Sequence, residues 1–150
     1  MSRMPNGDAP AGTLIFTYGT LKAGFPNFHI NAGTRIPGEF VTLERFPLYI
    51  TGKAHIPWLV NKPGEGSHVS GQLFEVDAKA LAEMDVLERI DEPGWYTRRE
   101  IEVRSIDVPT AAVVRCQVYF GDAQRLASEP IQAGPLAAYT MEHARRYRSG

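Results

Sequence analysis

The sequence is poor in cysteine, in charge of either net sign and in long apolar runs. Its single cysteine, Cys116, excludes an internal disulfide and fits a reducing, cytoplasmic compartment. Sixteen Lys and Arg against 17 Asp and Glu leave a formal net charge of -1, with no basic run, so neither nucleic acid nor an anionic membrane surface is an expected partner. No apolar stretch reaches the ~20 residues of a membrane span. The opening MSRMPNGDAPAG lacks the apolar centre of a secretory leader and reads as a disordered tail over residues 1–12. The four histidines (His29, His55, His68 and His143) are scattered without ligand spacing, so no metal is expected. No Gly-x-Ser-x-Gly elbow is present. Gly19 and Gly24 have the spacing of a phosphate-binding P-loop, but Phe25-Pro26 follows where Lys-Ser/Thr is required, which argues against a nucleoside triphosphate site.

What is present is organised around residues 13–24, TLIFTYGTLKAG. Leu14-Ile15-Phe16-Thr17-Tyr18 is aliphatic, aromatic and β-branched, a strand composition. Gly19-Thr20-Leu21-Lys22 follows at once. A glycine there allows a sharp turn and a close approach of ligand to backbone. Successive outward N–H groups in such a turn form an anion-binding nest. Two readings stand at this point: a loop that holds a carboxylate or phosphate, or an ordinary strand end with a glycine turn.

At 150 residues the chain is long enough for a core without staples, and residues 13–150 are expected to form one domain. Residues 34–41 read as a strand interrupted at Pro37-Gly38, and residues 46–51 as an apolar run. Ile56-Pro57-Trp58-Leu59-Val60 carries a proline and reads as an edge strand or buried loop. Residues 61–67 are dense in turn formers, and residues 69–76 read as a strand. Residues 77–90 form the best helix pattern, with Asp77 as N-cap and Asp91-Glu92-Pro93-Gly94 as terminator. Residues 96–106 and 111–120 read as two long strands, and residues 136–146 as a weaker helix. Strands dominate and no regular strand–helix alternation is present, so the expected class is α+β, a curled, barrel-like sheet with the 77–90 helix packed on it.

That helix contains an anomaly. At about 100° per residue Ala80, Leu81, Met84 and Leu87 share one face. Glu88, seven residues past Leu81 and four past Met84, points into it, with Asp85 at the border. An ionised carboxylate facing a core is unfavourable unless it is paired, neutralised or lining a cavity. In a partly dry cavity its raised proton affinity would suit general acid–base work. The alternatives are that the helix ends early and Glu88 is solvated, or that Glu88 pairs with Arg98 or Arg99. Cys116 lies mid-strand and reads as a small structural residue. Trp58, Trp95 and Tyr96 read as pocket wall or as core.

Three segments together resemble the gamma-glutamylcyclotransferase superfamily, and within it the branch that acts on γ-glutamylamines. They are Phe16-Thr17-Tyr18-Gly19-Thr20-Leu21-Lys22-Ala23-Gly24 with Pro26-Asn27; Pro47-Leu48 through Ile56-Pro57-Trp58-Leu59 and Pro63-Gly64-Glu65-Gly66; and residues 69–98, ending in Tyr96-Thr97-Arg98. The resemblance covers roughly residues 14–120. It implies a small mixed β-barrel of the gamma-glutamylcyclotransferase type. It also implies a cofactor-independent intramolecular reaction, in which the α-amino group of a γ-glutamyl unit attacks its own γ-carbonyl and releases 5-oxoproline and a free amine. The family's catalytic glutamate falls on Glu88. The implied substrate-binding residues are Tyr18, Gly19, Thr20 and Leu21, with Trp58 and Tyr96. The implied partner is a small γ-glutamyl amine, and the implied assembly is a monomer or weak homodimer. Phe28 before His29, and the loop 91–95, depart from the family pattern and bear on which amine is released. A hydrolase using Glu88 to activate water and a non-catalytic carboxylate-binding module are the alternatives. The second is disfavoured because a pure binder of an anionic group gains nothing from a nearby carboxylate.

Overall fold

A computed structural model of the chain describes residues 12–148, so the tail expected over residues 1–12 lies, apart from Gly12, outside the described residues. In chain order the strands are β1 (Thr13–Thr17), β2 (Thr34–Thr42), β3 (Leu48–Thr51), β4 (Ile56–Leu59), β5 (Ser70–Val76), β6 (Tyr96–Ser105), β7 (Val114–Gly121) and β8 (Ile131–Leu136). The helices are α1 (Ala78–Leu87), α2 (Ala123–Ser128) and α3 (Met141–Ala144), with one 3₁₀ turn at Phe28–Ile30.

Five strands close into a barrel-like ring in the order β1-β5-β2-β6-β7. β1 runs antiparallel to β5 from Thr13↔Val76 to Thr17↔Gln72, and the ring closes where β1 meets β7 in parallel at Ile15↔Gln117. β2 changes register between Ile36 and Phe40, at the Pro37-Gly38 interruption that the sequence marks. The other three strands form a second sheet, β4-β3-β8, in which the proline-containing β4 is an edge.

Successive side chains of a strand point to opposite faces, and here both faces are covered. Phe16, Leu73, Val103 and Val118 fill one apolar cluster. Their neighbours Ile15, Phe74 and Val76 join Ala80 and Met84 of α1 in a second. This double burial explains why β1 reads as a continuous apolar run rather than as an alternating one. The Asp77 carboxylate caps α1 by accepting from the Ala80 N–H at 2.8 Å.

Two expected helices differ from the observed ones. The helix expected over residues 77–90 stops at Leu87, because Arg89 adopts a left-handed backbone, φ 55°. The Arg89 N–H donates to the Val86 carbonyl and the Ile90 N–H to the Asp85 carbonyl, the closing pattern that ends many helices at a residue of this conformation. The helix expected over residues 136–146 is reduced to Met141–Ala144. Its first residue instead belongs to β8, paired with β3 at Leu48↔Leu136, and the Ala137 carbonyl accepts from the Ser70 N–H.

Candidate active site

The residues after β1 form one wall of a cavity of about 160 Å³, the scale of an amino-acid-sized group. The loop is pinned on its far side. Asn27 donates to the Thr20 carbonyl through its N–H at 2.8 Å and to the Thr20 hydroxyl through Nδ2 at 2.9 Å. The Ala23 N–H donates to Gln72 Oε1 at 2.8 Å. Lys22 is buried but does not line the cavity, donating from Nζ to the Tyr139 carbonyl at 2.6 Å and lying over the Phe25 ring. Burial lowers the Lys22 pKa below the ordinary lysine value. These bonds leave the N–H groups of Gly19, Thr20 and Leu21 without an acceptor among the described residues, and all three residues face the cavity. Buried N–H groups are almost always paired, so three in succession mark a site built for an acceptor that comes from outside. Gly19 is needed for space rather than for backbone freedom: a Cβ there would lie 2.9 Å from Pro57 Cγ.

Glu88 lines the same cavity. It is the C-cap of α1, its N–H bonded to the Met84 carbonyl at 2.9 Å, and the turn at Arg89 fixes its direction. Being half-buried, with one side open to the cavity and the other against protein, it loses much of its hydration. That loss first, and the nearby Asp85 carboxylate second, raise its pKa from 4.5 to about 8. The carbonyl-rich helix end acts in the same sense. No hydrogen bond or ion pair engages the Glu88 side chain among the described residues. Arg98 and Arg99, its alternative partners by sequence, are engaged elsewhere: Arg98 grips Asp85 through Nε at 3.0 Å and Nη2 at 3.1 Å, and Arg99 donates to the Arg98 carbonyl.

Three tyrosines complete the inner wall. Tyr18 donates its hydroxyl to the Tyr119 carbonyl at 2.7 Å, Tyr119 donates to Asp85 Oδ1 at 2.6 Å, and Tyr96 donates to the Pro57 carbonyl. Burial raises the pKa of all three phenols, and the Glu88 charge adds to the rise in each, which places them in electrostatic reach of that carboxyl.

The structure therefore brings Tyr18, Gly19, Thr20, Leu21, Tyr96 and Glu88 to one cavity. Trp58 is not among its lining residues. It stands one layer behind, fully buried, its ring 4.6 Å from that of Tyr96 and its Nε1 donating to the Asp122 carbonyl. Of the two departures from the family pattern, Phe28 packs on Phe74, whereas Trp95 lines the cavity with Arg89 beside it and the Arg125 guanidinium 3.9 Å from its ring. Sequence reasoning missed Asn27, Tyr119, Tyr147 and Arg148 as lining residues. Asn27 and Tyr147 meet across 120 positions, with Nδ2 donating to the Tyr147 hydroxyl at 3.0 Å, and no local pattern carries that pairing. Cys116 lies inside the barrel, where burial pushes its thiol up to about 12, so it has little thiolate character. Among the described residues no group of three or more His, Cys, Asp and Glu could hold a metal ion, and no helix is long and apolar enough to cross a membrane.

The model of the family described as gamma-glutamyl cyclotransferase, AIG2-like, matches residues 15–138. The chain is 39% identical to gamma-glutamylaminecyclotransferase of Mus musculus, over 70% of this chain and 75% of the relative. It is 36% identical to the Homo sapiens protein of the same name, over 71% and 76%. The crystal structure of an AIG2-like protein from Mus musculus is similar with a TM-score of 0.72 at 32% identity, covering 92% of this chain and 95% of that one.

Proposed function

Since the chain belongs to the gamma-glutamyl cyclotransferase, AIG2-like family, we propose that it is a gamma-glutamylamine cyclotransferase in which Glu88 moves the protons. The observation that carries this reading is that Glu88 and the unpaired N–H groups of Gly19, Thr20 and Leu21 face one amino-acid-sized cavity. Residues far apart in sequence thereby present an anion holder and a base to a single small molecule.

In this reading the loop N–H groups hold the α-carboxylate of the γ-glutamyl unit. Its α-ammonium gives a proton to Glu88, and the freed amine attacks the γ-carbonyl. A C–N bond forms, the original γ-amide C–N bond breaks as Glu88 returns the first proton to the leaving nitrogen, and the surplus proton on the ring nitrogen passes through the same carboxylate to the released amine, which departs as ammonium. Atoms balance without water: one γ-glutamyl amine becomes 5-oxoproline and one amine. A carboxyl raised to about 8 lies far nearer the range of an α-ammonium than an ordinary carboxyl does, which lessens the uphill cost of the first transfer. Holding the amine against its own carbonyl supplies the rest as proximity.

This reading treats residues 13–150 as one domain, supported by the closed ring of strands and by the family match over most of that range. It also includes a cytoplasmic location, supported by the one cysteine, Cys116, which is buried and unpaired. Product analysis on a panel of γ-glutamyl amines tests the assignment. The expected products are 5-oxoproline and the amine in equal amounts. Free glutamate would make the protein a hydrolase, and no turnover across the panel would leave it a binding module.

A further inference from the structure

Three charged side chains line the cavity, and the head group in the reading above uses only one of them, Glu88; Arg89 and Arg148 have no task in it. Arg148 is engaged with its own segment, its Nη1 donating to the Arg145 and Tyr147 carbonyls at 3.3 and 3.0 Å. Arg89 is different. Its side chain takes part in no ion pair and no hydrogen bond among the described residues. It stands at the left-handed position that ends α1, φ 55°, where glycine is the residue the backbone favours. An arginine there keeps a side chain at some conformational cost, and that side chain lies over Trp95, its guanidinium 4.5 Å from the ring.

Trp95 is fixed from behind by α2. Its carbonyl accepts from the Asp122 N–H at 3.0 Å, and the Asp122 carboxylate caps α2 by accepting from the Arg125 N–H at 2.8 Å. The helix so placed sets the Arg125 guanidinium 3.9 Å from the same ring, and Arg125 too is outside every ion pair among the described residues. The wall next to Glu88 thus carries two cations on one indole with no carboxylate to balance them. A tryptophan face beside a cavity ordinarily suits a cationic ligand. This one is already taken by two guanidiniums, so a further cation meets repulsion, whereas an anion meets a free guanidinium fork backed by a second positive charge. The α-carboxylate of the head group is held at the loop, so the anion this corner takes lies beyond the scissile amide. Resting on the γ-glutamyl reading above, we propose that Arg89, seated on Trp95 and backed by Arg125, selects the leaving group, and that the released amine carries an anionic group rather than additional positive charge. Trp95 belongs to the loop 91–95, one of the two places where the chain departs from the family pattern.

Three substrates test this: the γ-glutamyl amides of pentylamine, ε-aminocaproate and cadaverine. They share the head group and a five-carbon chain that ends in hydrogen, carboxylate or ammonium. Wild-type kcat/KM for 5-oxoproline release is expected to be about ten-fold or more higher for the aminocaproate amide than for the pentylamide, and lower for the cadaverine amide than for either. Arg89→Gly removes the guanidinium and supplies the residue that the left-handed backbone favours, so the fold is kept. It is expected to lower the aminocaproate-to-pentylamide ratio by about ten-fold, a readout that a general loss of activity does not move. A ratio left within about two-fold of the wild-type value by Arg89→Gly would place the selection elsewhere and overturn the proposal. A wild-type ratio of about one or below, with 5-oxoproline formed, would overturn it while leaving the γ-glutamyl reading intact. No 5-oxoproline from any of the three would overturn that reading and the proposal with it.

Discussion

Replacing Glu88 by Gln removes a charge from the cavity and keeps the shape of the side chain, and its consequence for stability can be worked out from burial. In the folded protein the carboxyl holds its proton up to about pH 8; in the unfolded chain it releases it near 4.5. Below pH 4.5 both states are protonated, and the group contributes no pH dependence. Between the two values the folded state binds more protons than the unfolded one, so wild-type stability falls as pH rises. Above about 8 both states are ionised, and the full penalty of a poorly hydrated carboxylate remains. The shift of 8 minus 4.5 units, at 1.36 kcal/mol each, bounds that penalty at about 5 kcal/mol. Contact with cavity water reduces it, to about 2 kcal/mol if more than half is recovered. A glutamine is neutral throughout and escapes the penalty. The melting temperature of Glu88→Gln minus that of wild type should therefore rise between pH 5 and pH 9, by about 4–8 °C for ~2 kcal/mol in a chain of this size. Parallel melting curves across that range would refute the claim that Glu88 is held protonated by its surroundings. The same variant should turn over about two to four orders of magnitude more slowly, and wild-type kcat/KM should climb toward about pH 8 as the base ionises and fall again at higher pH as the substrate loses its α-ammonium proton. Near-normal turnover by Glu88→Gln would remove Glu88 from the mechanism.

Gly19→Val places a Cβ 2.9 Å from Pro57 Cγ and a branched side chain beside the N–H groups proposed to hold the head group. Affinity for 5-oxoproline should fall by at least about ten-fold, out of proportion to the ~1–3 kcal/mol that overpacking removes from stability. Unchanged affinity by calorimetry would show that the head group binds elsewhere. Asp85→Asn removes the second cause of the raised Glu88 proton affinity, so the acid limb of the kcat/KM profile should move to lower pH. It also takes the anionic partner from Arg98, and the melting temperature should drop with it. An acid limb at the wild-type pH would mean that the Asp85 charge does not act on Glu88.

The sequence by itself determined what depends on near neighbours. The β1 strand and its glycine loop, the Asp77 cap of α1, the break in β2 at Pro37-Gly38 and the two long strands β6 and β7 all follow from residue types and spacings a few positions apart. Glu88 was also legible, because a carboxylate four residues past Met84 and seven past Leu81 stands out on an apolar stripe. The reason it faces the cavity was not, since the helix ends before it and the left-handed turn at Arg89 sets its direction. The tertiary structure alone decided the rest. β8 has a mixed, weakly patterned sequence, IQAGPL, and is a strand because β3 offers it a partner. Trp58 belongs to the core and Tyr96 to the cavity because Trp58 packs between Tyr96 and Gly121, where a Cβ would lie 2.4 Å from the indole. Tyr119 and Tyr147 reach the site only when the ring closes and the end of the chain folds back on Asn27. Local pattern encodes elements, because φ, ψ and burial periodicity are properties of neighbours in sequence. A cavity is made of residues that become neighbours only after the long-range contacts form, and a linear pattern holds no record of their hydrogen-bond directions.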